Sequence, residues 1–112
     1  MVTRRYLADY HGLTHAPSFA VVEASQASRR LEAHGLMDAG RADRSFEAIR
    51  ALRLTRHDPA SLLLRAWALR HTLTSYDAVY VALAESLRAP LLTCDARLAR
   101  SHGHTAEITL TS

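Results

Sequence analysis

The fold of this chain is decided by residues 74–85, which read TSYDAVYVALAE, and by residues 91–98, which read LLTCDARL. Residues 79–84 of the first stretch are apolar on every side, which predicts a buried helix whose first turn lies at the edge of the core. The second stretch predicts a short apolar strand that ends at Asp95. Because ligands of open parallel sheets gather at the carboxyl ends of strands, we expect these two carboxylates to share a site that could bind a metal ion.

Each of these aspartates also has a purely structural interpretation. Asp77 stands three residues after Thr74, which matches the spacing of a capping box, although glutamate is the usual partner. Asp95 is consistent with the N-cap of a helix that begins at Ala96, a role worth about 1 kcal/mol. The apolar surroundings of Asp77 and the pairing of two acids at this spacing favour a functional site, and the capping interpretation stays open for both.

A third acidic candidate, Glu23, interrupts the apolar run at residues 19–24. It lies in the second turn of a helix predicted from about Ser18 to His34. Glutamate is seldom buried in a protein unless it is paired, so a functional role is favoured. The alternative is a salt bridge to Arg29 or Arg30, although neither stands three or four residues from Glu23.

Composition predicts a single globular domain over residues 1–112, with 48% hydrophobic and 22% charged residues. The formal net charge is +3, and all 14 basic residues are arginine, which is compatible with contact to nucleic acid or with a solubilising surface. The single cysteine, Cys94, excludes an internal disulfide framework and favours a reducing cytoplasm, and we expect it in the core. We expect no membrane-spanning segment and no leader peptide.

Short apolar strands separated by helices predict an α/β fold with a short parallel sheet flanked by helices. The pattern indicates a helical hairpin in the first half of the chain and the buried helix after Thr74 in the second. The elements expected in chain order are a helix within residues 3–10, a strand at 13–16, helices at 18–34 and after Asp38, a strand at 54–56, a helix after Pro59, the helix from Thr74, a strand at 91–94, a helix at 96–102 and a strand at 106–110.

Taken in order, the three acidic stretches resemble a PIN domain of the VapC toxin type. Residues 15–19, HAPSF, followed by 22–24, VEA, are similar to that family's entry into its glutamate-bearing helix. Residues 76–84 resemble its third acidic motif, and residues 92–98 resemble its fourth. The resemblance runs from about residue 15 to residue 110 and implies a PIN-like three-layer α/β fold.

The resemblance implies a metal-dependent ribonuclease toxin of a VapBC-type toxin–antitoxin system. In such a protein the carboxylates of Glu23, Asp77 and Asp95 would bind Mg²⁺ or Mn²⁺ and would be the catalytic residues. The hydroxyl of Thr93 would lie beside these three carboxylates. The implied partners are RNA, a VapB-type antitoxin and a second copy in a homodimer, in the cytoplasm and away from the membrane. We expect the hairpin at residues 18–53 and the surface near the acids to form interfaces, with an antitoxin arginine entering the acidic pocket.

One family feature has no counterpart in the sequence. The family begins with a central strand that ends in an aspartate and is followed by a helix, and residues 1–6 of this chain are expected to lie inside that helix. We therefore expect the central strand and its aspartate to be missing, with weaker metal binding and impaired catalysis. Asp9 is a poor replacement because the predicted helix carries it away from the catalytic edge. The alternatives are a catalytically inactive, degenerate PIN domain that dimerises or binds antitoxin, and a non-nuclease α/β domain whose acids only cap helices.

Overall fold

The structure is a computed structural model that describes residues 5–8 and 12–111. The chain divides into two compact units, which are described separately. The helical unit comprises residues 19–53, and the sheet unit comprises the described residues of 4–18 and 54–112. The single domain expected over residues 1–112 stays a prediction. Among the described residues, no helix is long and apolar enough to cross a membrane.

The helical unit is the predicted hairpin, formed by α1 (Ala20–Ala33) and α2 (Ala39–Arg50). Helix α1 ends in a Schellman motif at Gly35, whose φ of 71° is a left-handed value that glycine adopts without steric cost. Helix α2 begins as expected at Asp38, whose carboxylate accepts a 2.8 Å hydrogen bond from the backbone N–H of Arg41. This cap satisfies one of the backbone donors that a helix start leaves without a partner.

The sheet unit contains five strands within its described residues, in the order β3-β2-β1-β4-β5. Pairs β2–β3 and β4–β5 are parallel, which confirms the α/β class, while β1 runs antiparallel to both of its neighbours. In the register of the sheet, Leu7 of β1 lies opposite His15 of β2 and Leu91 of β4. The strands are β1 (Arg5–Ala8), β2 (Thr14–Pro17), β3 (Thr55–His57), β4 (Leu91–Thr93) and β5 (Ile108–Leu110).

The beginning of the chain differs from the prediction. Residues 5–8 form strand β1 rather than a helix, while the rest of the predicted helix, including Asp9, lies outside the described residues. The central position of the sheet, expected to be empty, is therefore occupied. Strand β1 supplies hydrogen-bonding partners to β2 and β4, whose backbone groups would otherwise be unpaired. It also buries Leu7 completely, so apolar burial adds to the backbone pairing.

The core of the sheet unit is built around the predicted buried helix, α4 (Ser75–Leu87). Every residue from Ala78 to Ala84 is buried, as an all-round apolar sequence requires. Helix α3 (Leu63–Ala68) comes before α4 in the chain and is itself preceded by a turn of 3-10 helix. The short helix α5 (Ala96–Ala99) follows β4. The expectation that Cys94 is a core residue is wrong, because β4 ends at Thr93 and the cysteine is exposed in the turn beyond it.

Candidate functional site

Asp77 lies in the first turn of α4, and the helix is capped in front of it. The hydroxyl of Thr74 accepts a hydrogen bond from the backbone N–H of Asp77 at 3.2 Å, so the threonine half of the capping interpretation is confirmed. The carboxylate of Asp77 has a different partner, because it forms an ion pair with the guanidinium of Arg5 on β1. The side chain of Asp77 is 21% exposed, which leaves one face accessible to a ligand.

Arg5 is held between Asp77 and an aromatic ring. Its guanidinium carbon lies 4.5 Å from the ring centroid of Tyr80, one turn further along α4, and the tyrosine is buried. The Arg5 side chain is 19% exposed, so the ion pair is largely removed from solvent. Two charges in such an environment interact more strongly than at an open surface, and loss of either partner leaves the other poorly solvated.

Asp95 follows the end of β4 and caps α5. Its Oδ1 atom accepts hydrogen bonds from the backbone N–H groups of Arg97 at 2.9 Å and Leu98 at 3.4 Å, which confirms the capping interpretation. The hydroxyl of Thr93, fully buried, accepts the backbone N–H of Asp95 at 3.0 Å and so fixes the turn. Among the described residues no hydrogen-bond donor reaches Oδ2 of Asp95, so capping leaves this oxygen open to a ligand.

Asp77 and Asp95 line one pocket of about 380 Å³ in the sheet unit. The start of α4 and the end of β4 therefore deliver two carboxylates to the same cavity, as the sequence predicted for this pair. Within the described part of the sheet unit, no third His, Cys, Asp or Glu joins them in a group that could hold a metal ion. The pocket is lined by Thr72, Leu73, Thr74, Asp77, Asp95, Arg97, Leu98, Arg100, Ser101 and His102.

Glu23 belongs to the helical unit. It lies in the first turn of α1 rather than the second, because the helix begins at Ala20, and it is half-buried. Strand β2 extends through Pro17, which delays the start of the helix relative to the prediction. That Glu23 joins Asp77 and Asp95 at one metal site stays a prediction.

The carboxylates of the pocket fit the chemistry of a hard divalent cation. Magnesium takes oxygen ligands and is commonly held by one or two carboxylates together with waters and substrate phosphate. Asp77 and Asp95 provide such a pair. A cation at Asp77 would compete with Arg5 for the same carboxylate, because both are attracted by its negative charge.

Two groups with shifted pKa values lie outside the residues that line the pocket. Hydrogen bonds from Arg65 lower the pKa of the Glu85 carboxyl from 4.5 to about 2, and further bonds from Thr105 act in the same direction. Burial lowers the pKa of His57, and the neighbouring imidazole of His15, 2.9 Å away between ring nitrogens, lowers it further. Both sets of contacts join separate segments of the sheet unit.

Sequence reasoning missed the basic side chains of the site. Arg5 has no local signal, because its pairing with Asp77 depends on the position of β1 in the sheet. Arg97 and Arg100 did carry a signal, since they follow Asp95 at positions three residues apart and so share one side of a helical turn.

Comparison with known proteins agrees with the fold and with these motifs. Residues 3–102 match the PIN domain family. The chain therefore belongs to the PIN domain family, and its similarity to proteins named VapC identifies it as a VapC-type member. The resemblance deduced from the three acidic stretches is thus confirmed.

Three relatives from Mycobacterium tuberculosis (strain CDC 1551 / Oshkosh) illustrate the extent of the similarity. Ribonuclease VapC3 is 41% identical over 87 residues, covering 78% of this chain and 64% of the relative. Ribonuclease VapC12 is 65% identical over 46 residues, covering 41% of this chain and 36% of the relative. Ribonuclease VapC1 is 37% identical over 99 residues, covering 88% of this chain and 74% of the relative. The chain thus spans less than two thirds of the length of VapC3.

Proposed function

We propose that this protein is a metal-dependent ribonuclease toxin of a VapBC-type toxin–antitoxin system, which hydrolyses phosphodiester bonds of RNA. The observation that carries the proposal is the pocket shared by Asp77 and Asp95, two carboxylates from distant parts of the sequence. Relatives of the chain are named ribonucleases, which supports the choice of reaction.

In this proposal Asp77 and Asp95 hold Mg²⁺ or Mn²⁺, with Glu23 as the third carboxylate. Such an ion, when bound, acidifies a water molecule and neutralises charge on the phosphodiester. Such an ion would also offset the repulsion between the carboxylates and the phosphate, which would strengthen substrate binding without being required for it. Thr93 is a positioning residue, because its buried hydroxyl holds the turn that carries Asp95.

The proposed protein partners are a VapB-type antitoxin and a second copy of the chain, in the cytoplasm where both antitoxin and RNA are made. The Arg5–Asp77 pair supports the first, because it shows that a guanidinium is accommodated at this carboxylate. Exposed apolar side chains on the helical hairpin support an interface there, since Val22 is 65% and Leu36 is 72% exposed. Sedimentation analysis that shows a monomer at all concentrations would remove the dimer from the proposal.

A second candidate function is favoured by a specific observation. Arg5 neutralises Asp77 within the chain, which disfavours a cation at that carboxylate. A catalytically inactive PIN domain that dimerises or binds antitoxin would tolerate this pairing, whereas an efficient nuclease must displace it. The two candidates differ in one measurable property, which is cleavage of RNA that depends on added metal and on Asp77.

The experiment is a cleavage assay on total RNA with Mg²⁺, with Mn²⁺ and with EDTA, comparing the wild type with Asp77→Asn. The proposal predicts metal-dependent cleavage that falls about a hundredfold or more in the variant, since loss of even an outer-sphere partner costs roughly 10- to 100-fold. Circular dichroism must show that the variant remains folded.

Asp58→Asn is the matched control. Asp58 lies in the sheet unit, does not line the pocket and accepts a hydrogen bond from the backbone N–H of Ala60, a role that asparagine preserves. Its cleavage rate should equal that of the wild type. Cleavage by Asp77→Asn at the wild-type rate would refute the assigned site, and no metal-dependent cleavage by the wild type would favour the inactive binding module.

A further inference from the structure

The pocket that contains the two carboxylates also contains two arginines. Arg97 lies in α5 and Arg100 follows that helix, so the two side chains are separated by one helical turn. Both residues line the pocket and both are exposed. Neither forms an ion pair with another described residue, so their guanidinium groups are available to a ligand.

Among the residues that line the pocket, the balance of formal charge is cationic without any metal once Asp77 is paired with Arg5. Asp77 is neutralised by Arg5, so the remaining formal charges are the carboxylate of Asp95 and the guanidiniums of Arg97 and Arg100. The hydroxyls of the lining residues Thr72 and Ser101 donate to backbone carbonyls. Thr74 also lines the cavity, and its hydroxyl, which accepts the backbone N–H of Asp77, is a potential hydrogen-bond donor to a ligand. Such a set attracts an anion with several acceptor oxygens.

We propose that Arg97 and Arg100 bind a phosphate group of single-stranded RNA in this pocket, and that they do so without a metal ion. The proposal rests on the function proposed above and deepens it by naming the residues that hold the substrate. Guanidinium is planar and presents parallel N–H donors that match the geometry of phosphate oxygens. A cavity of about 380 Å³ is within the range of clefts that hold small ligands, roughly 300–1,000 Å³.

The location of these arginines gives the binding a direct consequence. The backbone N–H of Arg97 donates a hydrogen bond to the carboxylate of Asp95. The residue that would bind the phosphate therefore lies directly beside one of the carboxylates proposed to bind the catalytic metal ion. Phosphate held by Arg97 and Arg100 would therefore place a phosphodiester beside Asp95 before metal binds. These two are positioning residues for the substrate in the proposed reaction.

The test measures binding of a short fluorescein-labelled RNA by fluorescence anisotropy in EDTA, over a series of salt concentrations. Replacing both arginines, Arg97→Gln with Arg100→Gln, should weaken binding about tenfold or more at low salt. It should also reduce the slope of log K against log salt by about 0.7 for each phosphate that the variant no longer neutralises. The Arg97→Lys, Arg100→Lys variant keeps the charge and should recover most of the salt dependence but not all of the affinity.

Arg56→Gln is the matched control, because Arg56 is an exposed arginine on β3 that does not line the pocket. Its RNA affinity should equal that of the wild type. The proposal is overturned if the double glutamine variant binds RNA as tightly as the wild type, or if Arg56→Gln loses as much affinity. If the double variant does not fold, the same criteria apply to Arg100→Gln alone.

The binding assay and the cleavage assay test the two proposals separately, so one proposal can be refuted while the other is supported. Binding in EDTA that depends on Arg97 and Arg100, in a protein without metal-dependent cleavage, supports this inference and contradicts the proposed ribonuclease. Cleavage that depends on metal and on Asp77, with binding insensitive to both arginines, overturns this inference and supports the ribonuclease.

Discussion

Glu85 is the side chain whose loss should most clearly reveal what holds the sheet unit together. It lies near the end of α4, and its carboxylate accepts two hydrogen bonds from the guanidinium of Arg65, at 2.7 and 2.9 Å. The same carboxylate accepts the backbone N–H of Thr105 at 2.9 Å and its hydroxyl at 3.1 Å. One group therefore connects α4 to α3 and to the segment that leads into β5.

The contribution of this carboxylate to stability follows from its pKa. The fall of the Glu85 pKa from 4.5 to about 2 corresponds to roughly 3 to 4 kcal/mol, at 1.4 kcal/mol for each pKa unit. Because the Arg65 side chain is 44% exposed, solvent screening reduces this, and we expect about 1 to 3 kcal/mol. A lowered pKa means that the unfolded state binds more protons, so this stability is present above about pH 4.5 and is lost as pH falls towards 2.

The assay is urea unfolding of the wild type and Glu85→Gln near neutral pH and again at about pH 3, within the range where the folded and unfolded states differ in protonation. The variant should be less stable by about 1 to 3 kcal/mol near neutral pH, because its amide cannot replace the charge that Arg65 requires. The difference should shrink at about pH 3, where the carboxyl is largely protonated in the unfolded state but still largely ionised in the folded state.

Glu47→Gln is the control for a carboxylate that pairs with arginine at the surface. Glu47 is 64% exposed and bonds to Arg50 at 3.1 Å within one helix, a type of pair worth at most about 1 kcal/mol. If Glu85→Gln costs no more than Glu47→Gln near neutral pH, or if its cost is the same at both pH values, the reasoning from the pKa is refuted.

Two further predictions concern charged groups. Arg5→Gln should raise the affinity of the pocket for Mn²⁺ about fivefold, since removing a neighbouring cation is worth about 1 kcal/mol. Asp77→Asn should lower the affinity, and electron paramagnetic resonance of free Mn²⁺ measures both changes. If Arg5→Gln binds Mn²⁺ with the same affinity as the wild type, competition between Arg5 and the metal at Asp77 is contradicted. The pKa of His57 is lowered in the folded state, so the unfolded state binds more protons and the protein should become less stable as pH falls below about 6.5. His57→Gln should flatten this part of the dependence of stability on pH. If the dependence is unchanged in the variant, the histidine pair does not cause it.

Much of the fold and part of the site could be predicted from local sequence. The apolar run after Asp77 makes α4 a buried helix, and Thr74 caps it through a hydroxyl three residues away. The helical hairpin follows in the same way from apolar spacing, from the cap at Asp38 and from the stop at Gly35. These features depend on neighbours within a few residues, so the pattern of the sequence is sufficient to find them.

Asp77 and Asp95 could be paired in advance for a related reason. Each stands where a strand or turn passes into a helix, and such positions meet at one edge of an α/β sheet. The pocket that both residues line agrees with this expectation. Asp95 also caps α5, so a capping role and a place in the pocket are compatible for one aspartate. For Asp77 the cap of α4 is the hydroxyl of Thr74, and the carboxylate pairs with Arg5.

The sequence by itself determined the α/β class, the family and the positions of the acids, because these depend on local pattern. Only the tertiary structure decided the role of residues 5–8. Their local pattern favours a helix, but the unpaired backbone groups of β2 and β4 make a strand the better arrangement there. The reversed direction of that strand places Arg5 opposite Thr93 and in contact with Asp77. Pairing between residues so distant in sequence depends on which backbone partners remain open once the other strands have formed, and no local pattern determines that.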